Sequence, residues 1–117
     1  MLIQSFIVCN AQQKERKGFA ISVNSKIDSL QLTKNEFKNA TFTIHSFYPE
    51  FEGKLTLKKF KVKYPGRKEI EIDGSKLNEK AVRDLQNVKI GDQIIVYDAV
   101  SQNSHIEIFG PMIITIR

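Results

Sequence analysis

The chain has 117 residues, of which 41% are apolar and 26% charged, and a formal net charge of +5. That length supports one domain burying roughly 65% of its unfolded surface, and the composition excludes intrinsic disorder. A single cysteine, Cys9, excludes an intrachain disulfide framework, and no run reaches the ~20 apolar residues of a membrane-spanning helix.

The chain opens with the uncharged stretch MLIQSFIVCNAQQ. Small residues at Cys9 and Ala11 fit the −3 and −1 positions of a signal-peptidase site, with Gln12 as the mature N-terminus. A basic n-region is missing, and Gln4 and Ser5 interrupt the apolar run, as in a signal truncated at its start. Residues 1–11 therefore read as a truncated export signal, which places the protein in the periplasm or otherwise outside the cytoplasm. The alternative is a first β-strand over residues 2–9, in a cytoplasmic protein. Acylation of Cys9 fits less well, because Phe6-Ile7-Val8 offers no small residue before it. Cleavage would leave a mature chain without cysteine, which suits an oxidising compartment.

Period-2 patterning dominates residues 12–117, which read as a single domain. Phe19, Ile21 and Val23 alternate with small or polar neighbours, LQL (30–32) is a short strand, and TFTIHSFY (41–48) sets Phe42 and Ile44 on one face. In KLTLKKFKVKY (54–64), Leu55 and Leu57 are odd-numbered while Phe60, Val62 and Tyr64 are even. A regular strand would expose half of that set, so a β-bulge or bend is predicted at Lys58-Lys59. Pro65-Gly66 reads as a turn with Pro at i+1 and Gly at i+2, and KEIEID (68–73) returns with Ile70 and Ile72 inward.

One helix is predicted, near residues 78–87. Asn78 is its N-cap, Leu77 staples onto Val82, and Ala81, Val82 and Leu85 form the buried stripe. Gly91 then turns the chain with φ > 0, and Asp92 hydrogen-bonds nearby amides. QIIVYDA (93–99) is apolar on both parities, which predicts a central strand covered on both sides. HIEIF (105–109) follows across a polar hairpin loop, VSQNS, and MIITI (112–116) closes the chain. Seven to nine short strands with one helix predict a mainly β fold, an antiparallel Ig-like sandwich. A small OB-like barrel is the alternative.

Catalytic constellations are sparse. His45 and His105 sit on polar parities without neighbouring ligands at metal spacing. Asp92 and Asp98, six apart on a strand, would lie ~20 Å apart, too far for a carboxylate dyad. Asp73-Gly74-Ser75 lacks the remaining ligands of a calcium loop. The expectation is a non-enzymatic protein without cofactor or metal.

The charge is concentrated instead. Residues 54–68 hold seven Lys or Arg and no acid, and the rest of the chain nets −2. Candidate partner-binding residues are therefore Lys58, Lys59, Lys61, Lys63, Arg67 and Lys68. Lys59, Lys61 and Lys63 would share an exposed face, with Phe60, Val62 and Tyr64 turned into the core. That separates phosphate-neutralising charge from any base-stacking platform and favours a simply solvated strand face, with an acidic protein or envelope-surface partner next and nucleic acid last. The lysines would also discourage edge-to-edge pairing.

The order of features from Phe42 to Arg117 resembles the C-terminal domain of the gliding motility-associated protein GldM, a type IX secretion component. FTIHSF (42–47) comes first, then the basic strand pair. DGSKLNEKAVRDLQNVKIGDQIIVYDA (73–99) matches that family's helix, Gly-Asp and strand pattern, and GPMIITI (110–116) closes it. LQLTKNEFKNA (30–40) resembles its lead-in. The resemblance implies an Ig-like sandwich making protein contacts in the periplasm, without catalysis or cofactor. SQNS (101–104) replaces the family's Gly-Pro-Asp-Gly-like turn, so a contact made there is not implied. The family's membrane helix and other periplasmic domains have no counterpart here, which implies a free-standing relative of one domain.

The facing assigned to the basic strand is directly testable. Lys61→Leu should fold yet aggregate, whereas Val62→Lys should unfold the domain, as read by circular dichroism and light scattering.

Overall fold

A computed structural model describes residues 18–51, 55–103 and 106–117. The export signal or first strand expected over residues 1–11, and His105, lie outside the described residues. Eight strands are seen among the described residues: β1 (Phe19–Val23), β2 (Ser29–Leu32), β3 (Phe42–Ser46), β4 (Leu57–Lys63), β5 (Ile70–Asp73), β6 (Gln93–Ser101), β7 (Ile108–Phe109) and β8 (Met112–Ile116). They form a three-stranded sheet, β3-β1-β7, and a five-stranded sheet, β2-β8-β6-β4-β5. The two sheets pack as a sandwich. Most neighbours are antiparallel, but β1 with β7 and β2 with β8 are parallel, so both sheets are mixed.

The core is the inward parity of both sheets. Phe60, Val62, Ile72, Ile94, Val96, Met112 and Ile114 from the larger sheet are all fully buried, as are Val23 and Phe42 from the smaller. The Phe42 and Phe60 rings meet across the interface with centroids 4.8 Å apart. Tyr64 is buried beside Phe37, and its hydroxyl donates to the Ala81 carbonyl at 2.6 Å. That bond gives the polar end of a buried ring a partner, and burial pushes the phenol pKa up.

The parity switch in β4 is a bulge, as predicted. Leu57 pairs with Ser101 and Lys59 with Val100, so two steps on β4 match one on β6. A second irregularity compensates it: Lys59 to Lys61 matches Val100 to Tyr97, placing the extra residue on β6. Asp98, with φ 51°, lies at that point in the left-handed region that Asp tolerates better than most residues. Leu57 and Ser101 are thereby buried in the same sheet as Phe60, Val62, Ile94 and Val96.

Two turns follow their chemistry. Arg67 N–H donates to Tyr64 C=O at 3.2 Å across Pro65-Gly66, with Gly66 at φ 72°. Gly91 has φ 95°, and the Asp92 carboxylate accepts from the Lys89 amide at 2.9 Å. Gly91 N–H also reaches the Ile116 carbonyl at 2.7 Å, which ties this turn to the end of β8. The pair is a structural hinge into β6.

Four expectations are corrected. Besides the predicted helix, α2 (Glu79–Leu85), there is an earlier one, α1 (Lys34–Lys38), and a 3-10 turn at Pro49–Phe51. The α1 signal was present as Thr33-Lys34-Asn35-Glu36. Thr33 and Glu36 form a reciprocal capping box, and Phe37 is buried against Phe42. In α2, Asn78 caps as expected, but Val82 is only half-buried and Val88 beyond the helix joins Ala81 and Leu85 in the core. β6 is central but covered on one face only, since Ile95 stays 36% exposed. Finally, β6 and β7 do not form a hairpin. β7 joins β1 in the opposite sheet, leaving one bridge from Val100 to Glu107.

Phe60→Ala should lower unfolding free energy by about 3–5 kcal/mol through the cavity left opposite Phe42. Thr33→Ala should cost about 1 kcal/mol, because it removes a cap and little packing. Urea denaturation of both variants measures these differences.

Candidate functional site

The outward parity of β4 and β6 forms the floor and one wall of the most feature-rich surface. Alternation places Lys59, Lys61 and Lys63 outward from β4, while Ile95 and Tyr97 point outward from β6 because Ile94 and Val96 point in. The chain from Ile106 to Pro111 passes alongside, on its way from β6 toward the smaller sheet. An open groove of about 540 Å³ results, lined by Ile95, Tyr97, Ile108, Phe109 and Pro111 together with the charged Lys63 and Asp98. It continues at one end into a hollow between Lys63, Ile95 and the Gly91-Asp92 turn. At the other end, past Asp98 and Ile108, it runs into one bounded by Lys59, Lys61 and Val100.

The six predicted basic residues do not form one patch. Lys59 pairs with Glu71 at 3.0 Å, and Lys61 pairs with Glu69 at 3.1 Å and Asp98 at 3.3 Å. Arg67 leaves the outer face for Asp84 of α2, at 4.0 Å. Lys63 donates only a long hydrogen bond, 3.4 Å, to the Tyr64 carbonyl, with no ion pair among the described residues. Lys58 and Lys68 are exposed. Pairing with β5 and β6 thus neutralises much of the charge concentrated in the linear sequence. Such exposed pairs add little stability, but they lower the net field of the face.

Tyr97, Glu69, Lys61 and Asp98 form a chain of contacts across β4, β5's lead-in and β6. The Tyr97 hydroxyl donates to Glu69, which with the Lys61 ammonium holds the Glu69 carboxyl below its ordinary range. The Glu69 and Asp98 carboxylates, in turn, raise the Lys61 pKa. Hydrogen bonding to Glu69 raises the Tyr97 phenol. These groups lie open to solvent and set local geometry.

His45 stacks edge-on against Phe47 at 4.7 Å, on the other sheet. No group of three or more His, Cys, Asp or Glu side chains among the described residues is placed to hold a metal ion. No helix among them is long and apolar enough to cross a membrane.

Lysine counting missed the apolar half of this surface. Ile95, Val100 and Phe109 are three of the four large hydrophobics exposed among the described residues, at 36%, 37% and 56%. The signal was the apolar run on both parities of QIIVYDA, which identified a second hydrophobic face but was read as a covered one.

No family model matches the chain, and no curated protein matches it. The likeness to the GldM C-terminal domain therefore rests on the sequence pattern alone.

Glu69 provides a pH test. Its folded pKa is depressed, so its stabilising contribution is complete above the ordinary value of 4.5 and is lost as pH falls through the lower folded value. A carboxyl NMR titration should give Glu69 a midpoint below that of an ordinary glutamate, and Tyr97→Phe should move it upward.

Proposed function

We propose that this domain is a non-catalytic protein-interaction module of the cell envelope, similar in role to the C-terminal domain of GldM. The observation that carries the interaction reading is the apolar groove on the outer face of the larger sheet, rimmed by charged side chains. An apolar centre inside a polar rim is the anatomy of a protein contact surface. The resemblance running from Phe42 to Arg117 supports the link to gliding motility and type IX secretion. The uncharged start, with small residues at Cys9 and Ala11, supports export to the periplasm. The reading needs no cofactor.

Nucleic-acid binding through the hairpin 54–68 is the competing reading. The pairing of Lys59, Lys61 and Arg67 with carboxylates weighs against it, because phosphate neutralisation needs free cations. The hairpin's own aromatics, Phe60 and Tyr64, are buried and turned away from its outward lysines, which weighs against it too.

The purified chain should show no salt-dependent binding to single- or double-stranded DNA or RNA at ~50 mM salt. In cells, photocrosslinkers at Phe109 and Val100 should capture an envelope protein, and the protein expressed from its own gene should begin at Gln12. Salt-dependent nucleic-acid binding would replace the proposal with the competing reading. Retention of Met1 with a cytoplasmic location would remove the export claim.

A further inference from the structure

We infer that the outer-face trough takes one extended peptide segment of a partner protein, with apolar side chains over Ile95, Tyr97 and Phe109 and a carboxylate at Lys63. This deepens the interaction reading above and rests on it.

The shape selects the occupant first. The groove and its two flanking hollows follow the outer side of β6 from the Gly91-Asp92 turn to Val100. From Ile95 to Val100 alone this is roughly 16 Å at about 3.3 Å per residue, the length of an extended peptide of about five residues. The floor selects next. The central strand of the sheet carries Ile95 at 36% exposure, and Phe109, on the opposite wall, is 56% exposed. The central groove of about 540 Å³ admits the side chains that alternate along one side of such a strand.

Charge supplies the orientation. Three lysines line the trough from the β4 side, and two are committed, Lys59 to Glu71 and Lys61 to Glu69 and Asp98. Lys63 lines both the central groove and the hollow at the Gly91 end, and among the described residues its ammonium makes only the 3.4 Å bond to Tyr64 C=O. A peptide carboxylate there would form a charge-assisted hydrogen bond with an ammonium that has no ion pair among the described residues, although Asp92 lines the same hollow and Glu69 acts on it electrostatically. At the other end the lining lysines, Lys59 and Lys61, are already paired with Glu71, Glu69 and Asp98, and Glu107 adds a further acid, so the peptide's charge belongs at the Lys63 end.

The probe is the synthetic peptide acetyl-Ser-Phe-Thr-Val-Ser-Asp-amide, with its reversed sequence and an Asn-for-Asp twin of each, added to the isotope-labelled full-length chain. NMR should show saturable shifts at Ile95, Tyr97, Ile108 and Phe109 for one chain direction. Lys63→Gln and the Asn twin should each weaken binding about tenfold or more, the scale of a lost hydrogen bond to a charged group. Phe109→Ser should weaken it as well. Ile90→Ser, at a site 79% exposed in the turn before β6, should leave it unchanged.

No saturable shift at millimolar peptide, shifts elsewhere, or equal binding by the Asn twin would overturn the inference. Concentration-dependent broadening of the same signals without peptide would assign the trough to a second copy of the chain instead. If the peptide arm fails while crosslinking still captures an envelope protein, only this assignment falls. If both fail, the interaction reading falls with it.

Discussion

The pairing of β4 with β6 is the constraint on which the molecule depends. Each strand carries a change of parity in its apolar residues, and a regular ladder could not bury both halves of either. The strands solve this jointly. An extra residue on β4 near Lys58 is followed by one on β6 near Asp98, so the ladder returns to register at Lys61 and Tyr97. Leu57 and Phe60 are then both core residues, and Ser101 lies on the buried side with Val96. Because side chains alternate strictly, a slip of one residue here would exchange the lysines with the aromatic core.

The same pair of bulges organises the outer surface. Displacing Asp98 into a left-handed conformation brings its carboxylate to Lys61, which also meets Glu69. The result is a face with mixed, mutually paired charges around a bare apolar strip, instead of a basic stripe. A stripe would attract any polyanion from a distance, while a paired rim with an apolar floor rewards close fit. That contrast supports the proposed protein segment over nucleic acid.

Local chemistry accounts for the elements that read correctly. Asn78 caps α2, Pro65-Gly66 makes the expected turn, and Gly91-Asp92 turns the chain into β6 through backbone bonds that its residue types predict. These depend on neighbours within four residues. The overlooked α1 was equally local, written in the Thr33-to-Glu36 spacing, but its five residues are too short to show helical periodicity. Its stability comes from Phe37 packing against Phe42, just beyond the helix, and against Tyr64, distant in the chain.

By itself, the sequence determined the mainly β character, the inward faces of β1, β4 and β5, the bulge near Lys58 and the turns, because alternation, capping and turn conformations are set over a few residues. Tertiary structure decided the rest. It sent β7 to the smaller sheet, made both sheets mixed, and paired the basic hairpin with acids from β5, β6 and α2. It also left the second face of β6 open beside Lys63, Phe109 and Pro111. Those outcomes depend on which strands become neighbours. Charge and burial are properties of that neighbourhood, and the residues that neutralise a lysine lie from 8 positions away, as Glu69 from Lys61, to 37, as Asp98 from Lys61.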